Sequence, residues 1–173
     1  NICTAQVLLA IMASMYAVYH GPKNIISIAN KVHDKCSKLA TSLNHAGLEI
    51  LHQQFFDTIR IFPTEKWEIE AKKEKINFRK FEDGSVGISL DESTTEKDML
   101  KICKIFNASY LSENSIYNLA KGIKRGAAFL DYEVFNKYHS ETEMLRYMHK
   151  LEIKDLSLNN SMIPLGSCTM KLN

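Results

Sequence analysis

Two alternating runs, Ile76-Asn77-Phe78-Arg79 and Val86-Gly87-Ile88-Ser89-Leu90, face each other across Glu82-Asp83-Gly84. Alternation of apolar and polar residues gives each run one face for a core and one for water. Asp-Gly supplies the positive φ angles that a tight turn demands, so an antiparallel hairpin is predicted here. This is the strongest local constraint in the chain. A hairpin needs further strands or helices against its apolar face, and the flanking sequence offers both.

Upstream, Phe55-Phe56-Asp57-Thr58-Ile59-Arg60-Ile61 is aromatic and β-branched and reads as a third strand, broken by Pro63. Two long helices precede it. Thr4 can cap the first, over about Ala5–Tyr19, with Leu8, Ile11, Met12, Met15 and Tyr19 at helical spacing. His20-Gly21-Pro22 stops that helix and starts the next, since Gly suits the position after a helix end and Pro suits a first turn. The second helix carries Ile25, Ile28, Val32, Leu39 and Leu43 as its apolar stripe, and Gly47 ends it. Thr64 is placed as the cap of a short helix, Glu65–Lys75, with Glu68 and Lys72 paired on it. Ser93-x-x-Glu96 reads as a capping box for a helix over Lys97–Phe106, with Met99, Leu100, Cys103 and Phe106 inward. Leu111–Gly126 is predicted helical. Ser140-x-x-Glu143 reads as a second capping box, opening a last helix with Met144, Leu145, Met148 and Leu151 as its stripe. Helices on one face of a small, mostly antiparallel sheet make an α+β domain over 1–128, and 129–173 reads as a helical arm leading elsewhere.

Composition excludes several function classes. With 22 basic and 20 acidic side chains the net charge is only +2, which argues against a dedicated nucleic-acid binder. The apolar Ala5–Val18 stretch is shorter than a membrane span, carries Gln6 and Ser14, and lacks the flanks of a signal peptide. Cys3, Cys36, Cys103 and Cys168 form no CxxC pair, so neither a zinc site nor a secreted disulfide framework is suggested. The chain starts without Met and stops just after an unusual motif, which reads as an excerpt from a longer protein.

No complete catalytic constellation is present. His33, His45, His52, His139 and His149 read as surface or satisfied structural histidines, because none is paired at a metal-binding helical spacing. Two segments stand out: Asn1-Ile2-Cys3-Thr4 and Gly166-Ser167-Cys168-Thr169. Hydroxyls and exposed backbone N–H groups near helix starts suit a phosphate or carboxylate, although structural capping explains the same residues.

Three blocks, in order and at compatible spacing, carry a family resemblance. The first is Asn1–Gln6 running into Leu8-Leu9-Ala10 and on to Phe55-Phe56-Asp57-Thr58. The second is Ile76–Arg79 with Phe81–Gly84 and Gly87–Glu92. The third joins Phe135-Asn136, Tyr138–Thr142, Arg146-Tyr147-Met148 and the closing string Ser161–Asn173. Together they resemble the P-protein family of the glycine cleavage system; Pro63–Lys75 and Lys97–Gly126 match only in pattern. The resemblance implies an oxidoreductase built of two homologous halves with the fold of type I pyridoxal-phosphate enzymes. Residues 1–128 would be the small domain closing the first half, and 129–173 the arm entering the second. It implies glycine as substrate, pyridoxal 5′-phosphate as cofactor, the lipoyl-bearing H-protein as partner and a homodimeric full-length enzyme. Bacterial cytoplasm or mitochondrial matrix would house it, with neither membrane nor nucleic acid involved.

That chemistry needs a lysine to hold the cofactor covalently. In the family the lysine follows a histidine and precedes a glycine-rich run. His149-Lys150 is followed instead by Leu151-Glu152-Ile153, and Lys171 lacks the context too. The cofactor lysine is therefore expected outside these residues, leaving the fragment alone inactive. Ser167, Cys168 and Thr169, with Asn1, Cys3 and Thr4, are expected to line the cofactor cleft or its lipoyl entrance. A non-catalytic α+β interaction module is the competing reading.

Overall fold

The computed structural model describes residues 5–112, 117, 119, 121–123, 125–157, 159–160 and 162. Its elements run α1 (Ala5–His45), β1 (Thr58–Ile61), α2 (Trp67–Glu74), β2 (Arg79–Lys80), β3 (Val86–Ser89), α3 (Glu96–Ile105) and α4 (Glu141–Glu152), with 3₁₀ turns at Lys121–Ile123 and Glu133–Asn136. The chain is α+β. It divides into two compact units, Asn1–Ile26 with Ala127–Asn173, and Ser27–Gly126.

The Ser27–Gly126 unit is built around the hairpin. β3 lies between β1 and β2, antiparallel to both, with Ile59 opposite Ile88 and Ile61 opposite Val86. These four side chains turn to one face and are buried with Cys36, Leu39, Ala40 and Leu43 of α1 and Met99, Ile102, Cys103 and Phe106 on and just after α3. Each buried Val, Leu, Ile, Phe or Met among them contributes about 1.5–3 kcal/mol, so the core fixes the register. A one-residue slip would turn the isoleucines outward. Trp67 and Phe78 close one side, with ring centroids 6.3 and 5.3 Å from that of Phe106.

The turn itself differs from the expected two-residue geometry. Gly84 N–H donates to the Phe81 carbonyl at 3.1 Å and Phe81 N–H to the Ser85 carbonyl at 2.9 Å, with only Gly84 at positive φ (+81°). Three residues turn the chain and Gly alone takes the left-handed position. Asp83 instead accepts from Ser85 N–H at 3.0 Å and from its hydroxyl at 2.6 Å.

Other expectations are corrected. Thr64 does not cap α2: its buried Oγ1 has no partner, and the cap position is Lys66, left-handed at φ 71°. Glu68 of α2 pairs with Lys80 of β2 at 2.5 Å rather than with Lys72. α3 is capped not by Ser93 but by Thr95, whose hydroxyl and backbone exchange hydrogen bonds with Asp98, while Asp91 gathers Ser93 and Thr94 in the preceding turn. Leu100 lies outside the inward arc of α3 and is exposed. Phe55 and Phe56 precede β1 rather than joining it. Of the helix expected over Leu111–Gly126, the described residues show only the 3₁₀ turn Lys121–Ile123.

In the other unit, the stop at His20-Gly21-Pro22 is present inside α1. Gly21 has φ 64° and ψ 175°, a conformation essentially confined to glycine, and it separates two helical segments. α4 begins at the predicted cap, Ser140, whose hydroxyl accepts Glu143 N–H at 3.3 Å; the Glu143 carboxylate completes no reciprocal box and instead accepts from the same hydroxyl at 2.9 Å.

Candidate functional site

All six residues expected at the cleft (Asn1, Cys3, Thr4, Ser167, Cys168 and Thr169) lie outside the described residues. The structure describes the helix that Thr4 leads into and the arm that precedes Ser167, and both belong to one unit.

A covalent pyridoxal-phosphate site needs an amine that gives up its proton readily, which usually means a lysine desolvated or placed beside another cation. No lysine whose side chain is described is buried. Lys38, Lys104 and Lys137 are shifted the wrong way, their ammonium groups held protonated chiefly by hydrogen bonds to Asp34, Glu74 and Glu133 respectively. Lys150 is exposed on α4, and neighbouring His149 is occupied by Glu152 at 3.2 Å, as a surface helical pair would be. The described residues therefore do not fit the covalent half of a cofactor site.

The two described thiols are equally inert. Cys36 and Cys103 are buried, and burial pushes them up to about 12 and about 11, so neither supplies a thiolate near neutral pH. Among the described residues no cluster of His, Cys, Asp or Glu could hold a metal ion, and no helix is long and apolar enough to cross a membrane.

What the structure does assemble is structural, and the sequence did not flag it. On the outer face of the sheet the Phe81 ring lies over Gly87, where a Cβ would come within 3.1 Å of it. The Arg60 guanidinium sits 3.8 Å from the ring centroid and that of Arg79 4.7 Å. Arg60 also donates to Asp83 and to buried Ser85, both at 2.6 Å. Hydrogen bonds from Ser85, then from Arg60, hold the Asp83 carboxyl at about 2. This cluster ties the turn to β1. Spacing gives no hint of it, because Arg60 and Asp83 meet only once the strands pair.

Histidine acts as a strut in both units. His33 bonds the Phe56 carbonyl through Nδ1 at 2.9 Å and stacks on that ring. His139 bonds the Tyr19 carbonyl through Nδ1 at 2.7 Å, beside the break in α1. The structural reading of these two from sequence holds.

The apolar faces are informative in a different way. Leu8, Leu9, Ile11 and Met12 are exposed around the first α1 segment, Leu9 by 68% and Met12 by 59%. On α4 only Met144 is buried, and Leu145, Met148 and Leu151 of the expected stripe are uncovered. A helix apolar on every side belongs inside a larger body.

Comparison with known proteins agrees. The family model for the glycine cleavage system P-protein matches residues 1–106. Proteins named glycine dehydrogenase (decarboxylating) are 50% identical in Thermosynechococcus vestitus and 48% in Nostoc punctiforme, each over 100% of this chain and 19% of the relative. The mitochondrial protein of that name from Mus musculus is 47% identical over 100% of this chain and 18% of its own length. The chain thus spans about a fifth of the length of the curated relatives it matches. On this match, spread over its whole length, the chain belongs to the glycine cleavage system P-protein family.

Proposed function

We propose that this chain serves as a scaffold within a longer pyridoxal-phosphate enzyme. That enzyme decarboxylates glycine and transfers the remaining aminomethyl group to the lipoyl arm of an H-protein. The observation that carries the reading is the end-to-end match, 47–50% identity over all of this chain, to proteins named for glycine decarboxylation. The uncovered apolar helix Leu8–Met12 supports it independently, since the remaining four-fifths of such a polypeptide would bury it.

In this reading residues 1–128 are the small domain closing a first type I pyridoxal-phosphate half, and 129–173 carry the chain into the second. Ser167, Cys168 and Thr169, with Asn1, Cys3 and Thr4, line the cofactor cleft or its lipoyl entrance, offering hydroxyls and backbone N–H groups to an anion. The covalent lysine lies elsewhere in the polypeptide. The full enzyme is a homodimer, cytoplasmic in a bacterium and in the mitochondrial matrix of a eukaryote.

The test uses the full-length polypeptide. Carbon dioxide release from carboxyl-labelled glycine should require pyridoxal phosphate and lipoylated H-protein, and Ser167→Ile should depress it with the fold intact. Turnover unchanged in Ser167→Ile removes that residue from the cleft; no glycine-dependent release at all refutes the functional reading. A free-standing interaction module is disfavoured by the same exposed helix, which such a module would keep covered.

A further inference from the structure

Within the unit that joins the first α1 segment to the arm, one contact is built from both sides. Gly21 breaks α1 at φ 64° and ψ 175°, and Pro22 has no N–H to return to the Val18 carbonyl. The last turn before the break therefore has carbonyls in need of donors. One of them, Tyr19 O, accepts from His139 Nδ1 at 2.7 Å. A carbonyl only accepts, so the proton sits on Nδ1. From the other side the arm presses against the break: a Cβ on Gly21 would lie 2.5 Å from the Phe135 carbonyl oxygen and 2.8 Å from His139 Cε1. The Glu133–Asn136 turn and the Ser140 cap of α4 bracket His139 and fix where its ring stands. His20 adds a ring 4.3 Å from Tyr16, stiffening the same turn.

We propose that His139 is a positioning residue: its bond to Tyr19 beside Gly21 sets the direction in which the first α1 segment leaves the arm. Residues 1–4 are covalently continuous with that segment, so the clasp governs how they reach the cleft. This rests on the functional reading above. It adds that an arm residue with no place at the cofactor controls glycine turnover through backbone geometry.

The experiment compares His139→Asn, His139→Gln and His139→Leu in the full-length holoenzyme. The Asn amide nitrogen takes the place of Nδ1 and can still donate to Tyr19, whereas the Gln amide takes that of Nε2, and Leu donates nothing. Displacement of a binding segment without loss of fold lowers kcat/KM, so Asn should stay within about threefold of wild type while Gln and Leu fall about tenfold or more, chiefly through glycine KM. Amide exchange over residues 16–24 should quicken in Gln and Leu and stay slow in Asn. A merely space-filling imidazole would not separate Asn from Gln. Equal kcat/KM and equal exchange in the two amides overturn the proposal, whether or not the Leu variant folds. If wild type itself releases no carbon dioxide from glycine, the functional reading fails instead, and the exchange comparison still decides the clasp.

Discussion

Alanine placed at four glycines separates two costs that are usually confounded. Gly122 has open space around its missing Cβ and no positive φ, so Gly122→Ala should change local stability by no more than about 0.5 kcal/mol. Gly47 and Gly84 also have open space but hold φ at +87° and +81°. Alanine there meets only the left-handed backbone penalty, about 1–2 kcal/mol. Gly21 has both burdens. Its φ and ψ lie in a region that costs a non-glycine residue about 1–3 kcal/mol, and the new methyl would sit 2.5 Å from the Phe135 carbonyl oxygen. That oxygen is backbone, so a rotamer change cannot relieve the overlap, and forcing a methyl into filled space adds about 1–3 kcal/mol. Gly21→Ala should therefore cost about 2–6 kcal/mol, clearly more than Gly84→Ala. Peptide-resolved hydrogen exchange on the full-length protein reads each site locally. A cost of 2 kcal/mol is about a 30-fold faster opening, expected over residues 16–26 and 133–140 for Gly21→Ala. If that variant exchanges no faster there than Gly84→Ala does over 79–89, the packing of the arm against the break in α1 is wrong.

Two other outcomes follow from the shifted acidities of buried and bonded groups. Asp83 is held near 2, below the ordinary carboxylate range, by Ser85 and Arg60, so its ionised form favours the folded hairpin. That contribution is complete above the unfolded value and disappears as pH falls from about 4 through about 2; Asp83→Asn should abolish the acid-induced loosening of residues 79–89 seen by exchange. Cys36 and Cys103, pushed up to about 12 and about 11, should resist alkylation at pH 8 in the folded protein and react in denaturant. Rapid labelling of either in the native state would contradict their burial.

The sequence disclosed most where a local rule and the tertiary structure agree. The hairpin, the break at Gly21 and the Ser140 cap each depend on residues within a few positions of one another, and all three are present. It misled where two candidates compete for one role. Ser93 and Thr95 both suit a helix cap, and Asp91 draws Ser93 and Thr94 into its own turn, leaving Thr95 to pair with Asp98. Lys66 rather than Thr64 starts α2 because the chain after Pro63 turns through a left-handed residue, which propensity does not anticipate. The Arg60–Asp83 pair and the His139–Tyr19 bond join residues 23 and 120 positions apart, so no windowed pattern could reveal them. The exposed faces of α1 and α4 show the converse: their apolar spacing was legible as helical, but no surface covering them is found among the described residues.

On the function proposed above, these 173 residues frame a pyridoxal-phosphate reaction without holding its cofactor covalently. Borohydride reduction of the full-length holoenzyme fixes the cofactor to its lysine, and mass spectrometry of the digest locates it. A pyridoxyl group is expected on a lysine beyond this stretch, with unmodified peptides throughout it. A stoichiometric pyridoxyl group on Lys150, Lys171 or any other lysine of this chain would contradict it.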